Sequence, residues 1–217
     1  MKKINFAIMD FSSKLIQNAV EAFTQLPGVG KKTALRMVMH LLKEEDKQVF
    51  QIADALTAMK VGIKFCIYCN NVSDESVCSI CADNSRNNKM LCIVENIRDV
   101  ISIDSTQQYF GMYHVIGGLL SPLDGVGPDQ LFLENLVQRV QTLEVEEIIM
   151  ALNPTVEGDT TMFYISKILR DTNVKISSIA RGIAFGADLE YTDELTLARS
   201  LHKRLPLESY INIESSK

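Results

Sequence analysis

Residues 66–81 read CIYCNNVSDESVCSIC, which is two Cys-x-x-Cys pairs with eight residues between them. Each short pair turns both sulfur atoms toward one point, so the four thiolates can close a tetrahedral shell around a single Zn²⁺ ion. A shell of four cysteines leaves no coordination position for water or substrate. We therefore expect a structural metal that supplies folding energy to a mostly polar segment. The predicted zinc ligands are Cys66, Cys69, Cys78 and Cys81.

Two disulfides, or buried free cysteines, are the competing interpretation of this segment. Met1-Lys2-Lys3-Ile4 leads into no apolar signal segment, and no apolar run approaches the roughly 18 residues of a membrane span. We therefore expect no membrane association and a reducing, cytoplasmic setting, in which disulfides are rare. The fifth cysteine, Cys92, lies in the apolar run 90–94 and is predicted to be a small buried core residue.

The charge of the chain is unevenly distributed. With 217 residues, 47% of them hydrophobic and 23% charged, the composition is that of an ordinary globular protein, and the formal net charge is −5. Residues 1–43 contain seven Lys/Arg and two Asp/Glu, whereas the remainder contains fifteen and twenty-five. A basic N-terminal region on an acidic body indicates that any phosphate contact is made by the N-terminal region.

Three helices are predicted before the cysteines. The first is capped by Asp10 or Ser12 and stopped by Pro27, the second covers 31–42, and the third covers about 46–59. The apolar face of the third helix would consist of Val49, Ile52, Ala53 and Leu56.

The connection between the first two helices reads LPGVGKKTA at residues 26–34. Its glycines permit a tight turn, and backbone N–H groups at the following helix N-terminus favour a phosphate oxygen. This stretch resembles the helix-hairpin-helix DNA-binding motif, which contacts the backbone of DNA and not its bases. A P-loop is excluded because Gln25 and Lys32 stand where it needs glycine and Ser/Thr. A plain helix turn with solvated lysines remains the alternative. The resemblance implies that Gly28, Gly30, Lys31, Lys32 and Arg36 are the DNA contacts.

Beyond the cysteines, short apolar runs alternate with helical stretches, which predicts a parallel, helix-covered sheet. The predicted strands are 89–94, 113–116, 147–152 and 175–180, and the predicted helices are 98–106, 129–142, 160–171 and 192–204.

Three acidic residues follow two of these strands. Glu95 comes directly after one strand, and Glu157 and Asp159 follow another. Strand C-termini line the functional crevice of an open α/β sheet, where three carboxylates could hold Mg²⁺ through water. The arrangement resembles a Toprim domain, although that pattern ends in Asp-x-Asp and this chain has Glu157-x-Asp159. Helix capping or solvated loop acids are the alternative interpretation.

The order of these signals resembles the RecR family of bacterial recombination mediator proteins over residues 10 to 205. The stretch 117–128 and the late stretch LEYTDELTLA at 189–198 add to the resemblance. It implies four parts: a helix-hairpin-helix region at 1–61, a four-cysteine zinc finger at 62–86, a Toprim-like domain at 87–174, and a C-terminal segment at 175–217. The last part would hold a Walker-B-like stretch, residues 176–180 with Asp188 and Glu190, then a helix and a tail.

The resemblance further implies a non-enzymatic DNA-repair factor near the nucleoid. It would bind gapped, single- and double-stranded DNA without sequence preference and form a homodimer or ring-like homotetramer. With RecO and RecF, it would help to load RecA at single-stranded gaps, and the Toprim acids would contact a partner or Mg²⁺. Two alternatives stay open: a Toprim-type, Mg²⁺-dependent DNA-cleaving enzyme, and a zinc-stabilised scaffold that binds only proteins.

Overall fold

The computed structural model describes residues 13–207, which form two compact units that divide between Gly62 and Ile63. The first unit contains three helices, α1 (Lys14–Thr24), α2 (Lys31–Leu41) and α3 (Asp46–Gly62). Helices α1 and α2 pack together around a small core. That core consists of Val20, Ala34 and Val38, with Ile16, Ala19, Phe23, Val29, Leu35 and Met39 at its margin.

The ends of α1 differ from the prediction. Asp10 and Ser12 lie outside the described residues, and the hydroxyl oxygen of Ser13 caps the helix by accepting from the Ile16 N–H. The helix ends at Thr24, three residues before Pro27. It ends there because the N–H groups of Gln25 and Leu26 donate to the carbonyls of Ala22 and Phe23. These bonds satisfy carbonyls that the end of the helix would otherwise leave unpaired.

Helix α3 follows the predicted pattern, but its apolar face is not buried. Val49 is half-buried, whereas Ile52, Ala53 and Leu56 are exposed. The core of this unit consists of residues from α1, α2 and the turn between them, and no residue of α3 is buried.

The second unit begins with the cysteine segment. Strands β1 (Lys64–Phe65) and β2 (Val72–Ser73) pair antiparallel, and the short helix α4 (Ser79–Ala82) follows.

A four-stranded parallel sheet forms the body of this unit. Its strands are β3 (Asn87–Val94), β4 (Gly111–Val115), β5 (Glu147–Ala151) and β6 (Lys175–Ser178), in the order β4-β3-β5-β6. Its helices are α5 (Ile97–Asp104), α6 (Leu136–Thr142), α7 (Val156–Ile168) and α8 (Glu194–His202). The predicted α/β architecture, with a helical N-terminal region and a cysteine segment, is confirmed.

Side chains alternate between the two faces of the sheet. On β3, Leu91 and Ile93 join the larger core with residues of α6 and α7, whereas Cys92 and Val94 face α5. Strand β3 is therefore covered on both faces, which explains why residues 90–94 read as a continuous apolar run. Cys92 is 2% exposed, and burial raises the pKa of its thiol to about 12. The prediction that Cys92 is a buried core residue is confirmed.

Two helix starts were predicted wrongly. The helix expected from residue 129 begins only at Leu136, because Leu131 is extended and the Phe132 N–H donates to the Ile116 carbonyl. The helix expected from residue 160 begins at Val156, because the Thr155 side chain caps it by accepting from the Gly158 N–H at 3.1 Å. The tail strand suggested by 210–213 lies outside the described residues.

Candidate nucleic-acid interface and metal centre

The turn between α1 and α2 has the geometry of a backbone anion site. Gly28 has a φ of +79°, a conformation that side chains other than glycine rarely adopt, and this angle folds the chain back tightly. Gly30 is the N-cap of α2 and offers no side-chain acceptor to the first-turn N–H groups. These N–H groups are therefore open to an external acceptor, at the positive end of the helix dipole.

Cationic side chains surround this turn. Lys31 and Lys32 open α2, and Arg36 follows Lys32 by one helical turn, so the last two lie on one face. All three are exposed, and within residues 13–207 none of them forms an ion pair. The structure thus brings together the five residues predicted to contact DNA. Their contact with DNA stays a prediction.

The second feature is the cysteine cluster. The four sulfur atoms of Cys66, Cys69, Cys78 and Cys81 lie within 4.8 Å of one another, and three of the residues are buried. All four are free thiols, and no disulfide links them. Within the described residues this is the only group of three or more His, Cys, Asp or Glu side chains that could hold a metal ion. The disulfide interpretation is therefore wrong.

The local backbone structure orients the four sulfur atoms toward one another. The Cys66 N–H donates to the Asn71 carbonyl at 2.7 Å, and Asn70, with a φ of 59°, turns the chain between them. The N–H of Asn71 then donates to Cys69 Sγ at 3.4 Å, and the N–H of Cys81 donates to Cys78 Sγ at 3.4 Å. Such N–H···S contacts favour the thiolate form, which is the form that binds metal.

The thiols of Cys69 and Cys78 resist ionisation, whereas that of Cys66 ionises more readily than an ordinary thiol. Burial raises the pKa of Cys78 to about 11, and hydrogen bonding to Cys81 followed by burial raises the pKa of Cys69. For Cys66, burial also acts upward, but backbone hydrogen bonds from Cys78, Tyr68 and Cys69 bring its pKa down to about 7. A divalent cation at the centre would supply the charge that lets all four ionise. The soft, closed donor set fits Zn²⁺.

The three acidic residues lie near the C-terminal ends of β3 and β5, but each has a different setting. Glu95 Oε2 accepts a hydrogen bond from Asn153 Nδ2 at 3.0 Å. Asp159 forms an ion pair with Arg181, with Oδ1 and Nη1 2.6 Å apart. Glu157 and Asp159 lie in the first turn of α7. The sequence pattern places them between the strand and a helix that starts at residue 160. In the part of the chain that the structure describes, the three carboxylates do not form a metal-binding group. A Mg²⁺ ion at these residues stays a prediction.

Two arginines at these sites were not predicted. Arg181 follows β6 at the crevice end of the sheet, and its place just beyond a predicted strand was a usable signal. Arg139 reaches the cysteine cluster from α6 across 58 positions of sequence, and no local pattern points to it.

The fold and the two sites define a zinc-stabilised α/β protein with a helical hairpin suited to the DNA backbone. Four family models match in chain order: the RecR helix-hairpin-helix at residues 16–60, the RecR four-cysteine zinc finger domain at 63–83, the Toprim domain at 89–180 and the RecR C-terminal region at 182–204. The chain belongs to the RecR family, and its four cysteines form a structural zinc site.

Several relatives cover nearly the whole chain, and each is named recombination protein RecR. The protein of Amoebophilus asiaticus is 53% identical over 91% of this chain and 98% of its own length. That of Cytophaga hutchinsonii is 52% identical over 93% and 98%, and that of Flavobacterium johnsoniae is 54% identical over 92% and 97%. Family membership supports a role in recombinational repair.

Between residues 13 and 207, no helix has the length and apolarity needed to cross a membrane.

Proposed function

We propose that this chain is a DNA-binding recombination mediator that acts with RecO and RecF to help load RecA at single-stranded gaps. The observation that carries the proposal is the glycine turn before α2, with open N–H groups and three exposed cations in an otherwise acidic chain. The relatives named recombination protein RecR support the same role.

We assign DNA contact to residues 1–61, with Gly28 and Gly30 shaping the turn and Lys31, Lys32 and Arg36 meeting phosphates. Residues 62–86 hold the zinc, 87–174 form the Toprim-like domain, and 175–217 carry the Walker-B-like segment, helix and tail. Contacts of this kind read the DNA backbone, so binding is independent of base sequence and weakens as salt rises. The working form is a homodimer or ring-like homotetramer, and it acts in the cytoplasm at the nucleoid.

The mediator has no catalytic step of its own. Glu95 and Asp159 are engaged by Asn153 and Arg181, which favours a structural or partner-binding use of these acids over a Mg²⁺-dependent cleaving site. Cleavage of DNA is the activity that the alternative function requires.

The test uses end-labelled gapped duplex DNA with Mg²⁺, run natively for binding and denatured for strand cleavage. The double variant K31E/K32E is compared with K47E/K60E, which makes the same charge change at exposed positions of α3 in the same unit. We expect K31E/K32E to bind DNA at least about tenfold more weakly. The slope of log affinity against log salt concentration should become shallower by roughly one for each lost phosphate contact. The control variant should bind as the unmodified chain does.

Equal binding by both double variants would remove the assignment of DNA contact to the turn. If the DNA strands are shortened and this shortening requires Glu95, the cleaving enzyme replaces the mediator as the proposed function. If the chain neither shifts the DNA nor cleaves it, the remaining function is that of a protein-binding scaffold. The partners are tested separately, by adding RecO and RecF to the DNA complex and measuring RecA assembly at the gap.

A further inference from the structure

Arg139 is a buried cation that contacts the zinc site. It lies on α6, is only 8% exposed, and places its guanidinium among three acceptors. Nη1 donates to the Tyr113 carbonyl at 2.7 Å and to His114 Nδ1 at 3.1 Å, and Nη2 donates to Cys81 Sγ at 3.6 Å. A single side chain therefore links the metal-binding segment to strand β4.

This cation has no carboxylate partner among the described residues, whose six ion pairs involve other groups. A buried charge without a counter-charge is strongly destabilising, so a negative group is expected nearby. The Tyr113 carbonyl is only a dipole. His114 is neutral, because its Nε2–H donates to the Phe132 carbonyl at 2.7 Å and its Nδ1 lone pair accepts from Arg139. The remaining partner is the sulfur of Cys81.

The zinc site needs a positive neighbour for the converse reason. Four thiolates around one Zn²⁺ leave a double negative net charge, which is costly in a buried site unless hydrogen bonds and cations compensate it. Hydrogen bonds from outside the ligand set also fix ligand orientation and commonly change metal affinity by 10- to 100-fold. The unpaired positive charge of Arg139 and the excess negative charge of the zinc site are therefore in direct contact at Cys81.

We propose that Arg139 is the outer-shell partner of the zinc site, where it supplies the buried counter-charge of the tetrathiolate and holds Cys81 in its ligating position. Since the same guanidinium binds the Tyr113 carbonyl, Arg139 also couples zinc occupancy to the packing of α6 against β4. Arg139 acts through Cys81 and is a positioning residue, not a ligand.

The experiment measures zinc affinity of the full-length chain by competition with a chromophoric chelator. The variants are R139M, which removes the charge at similar volume, and R139K, which keeps the charge but loses the fork of donors. V140A is the matched control, because Val140 is the next residue of α6, is also buried, and has no polar group that could donate a hydrogen bond to Cys81. We expect R139M to bind zinc about 10- to 100-fold more weakly, R139K to lie between R139M and the unmodified chain, and V140A to remain within about twofold.

A second readout separates ligand positioning from loss of general stability. Co²⁺ replaces the zinc, and the thiolate-to-cobalt absorption band is recorded for each variant that folds. We expect the band to shift in R139K and R139M and to stay in place in V140A. The proposal is overturned if R139M binds zinc within twofold of the unmodified chain, or if V140A loses as much affinity as R139M. If R139M does not fold, an R139K band identical to that of the unmodified chain overturns it.

Discussion

Substitution of Gly158 by alanine tests how tightly the acidic end of α7 is packed. Gly158 lies between Glu157 and Asp159, in the first turn of the helix. A Cβ atom added there would stand 2.0 Å from the Asn153 carbonyl oxygen and 3.2 Å from its carbon. Because real Cβ contacts do not fall below 3.0 Å, the helix start must move by at least about an ångström, and the obstacle is backbone that cannot rotate away.

The expected loss of stability follows from three contributions. Forcing an atom into a packed site costs about 1–3 kcal/mol, and disturbing the Thr155 cap costs about 1 kcal/mol more. Replacing glycine by alanine in a helix returns about 1 kcal/mol. We therefore expect G158A to lower the free energy of unfolding by about 2 kcal/mol. The measurement is urea denaturation followed by circular dichroism or tyrosine fluorescence, since the chain has no tryptophan.

Gly118 provides the matched control in the same unit. An added Cβ there meets only Leu131 Cδ2 at 3.5 Å, which is an ordinary contact, and the backbone angle is unstrained. We expect G118A to change the free energy of unfolding by less than about 0.5 kcal/mol. Equal effects of G158A and G118A would refute the argument that the Asn153 carbonyl blocks this position.

Three further predictions concern single residues. G28A should destabilise the helical unit by about 1–2 kcal/mol and weaken DNA binding, because alanine is strained at a φ of +79°. G62A should do neither, because Gly62 has open space around it and ordinary backbone angles. Thermal unfolding checks both variants, and equal melting temperatures would contradict the prediction. Burial, the largest influence, lowers the pKa of His114 from 6.5 to about 4, so the unfolded chain takes up the proton first as pH falls. The free energy of unfolding should therefore drop by about 3 kcal/mol between pH 6.5 and pH 4 and then level off, and H114Q should lack this component when the two chains are compared by denaturation at each pH. Cys92 should resist iodoacetamide in the native zinc-loaded chain and react after unfolding, as followed by mass spectrometry; native labelling would show that β3 is packed more loosely than described.

The zinc site was predictable because its signal is local. Two residues between paired cysteines are enough to direct both sulfurs to one point, so the ligand set of Cys66, Cys69, Cys78 and Cys81 follows without knowledge of the fold. The hairpin turn is likewise a short-range feature, set by Gly28 and Gly30. The strands of the parallel sheet were also found. For β3 and β5 the reason is that burial on both faces makes them nearly continuous apolar runs.

Long-range contacts explain what could not be predicted. Phe132 is in a stretch with helical periodicity, yet its N–H pairs with Ile116 and delays the start of α6. Arg139 looks like a solvent-facing helix residue until α6 is docked against β4 and the cysteines. The ion pair of Asp159 with Arg181 joins positions 22 residues apart, and no spacing rule connects them.

The cysteine segment also covers part of one edge of the sheet. Strand β4 is an outermost strand, and all five of its residues are buried. The Val115 N–H donates to the Cys69 carbonyl at 2.8 Å, and Asn70 Nδ2 donates to the Val115 carbonyl at 3.1 Å. An uncovered, apolar edge strand is a template for pairing with another chain and for aggregation. We therefore expect loss of the metal to expose the Val115 end of this strand to uncontrolled pairing and aggregation, which is distinct from any ordered assembly of the folded chain.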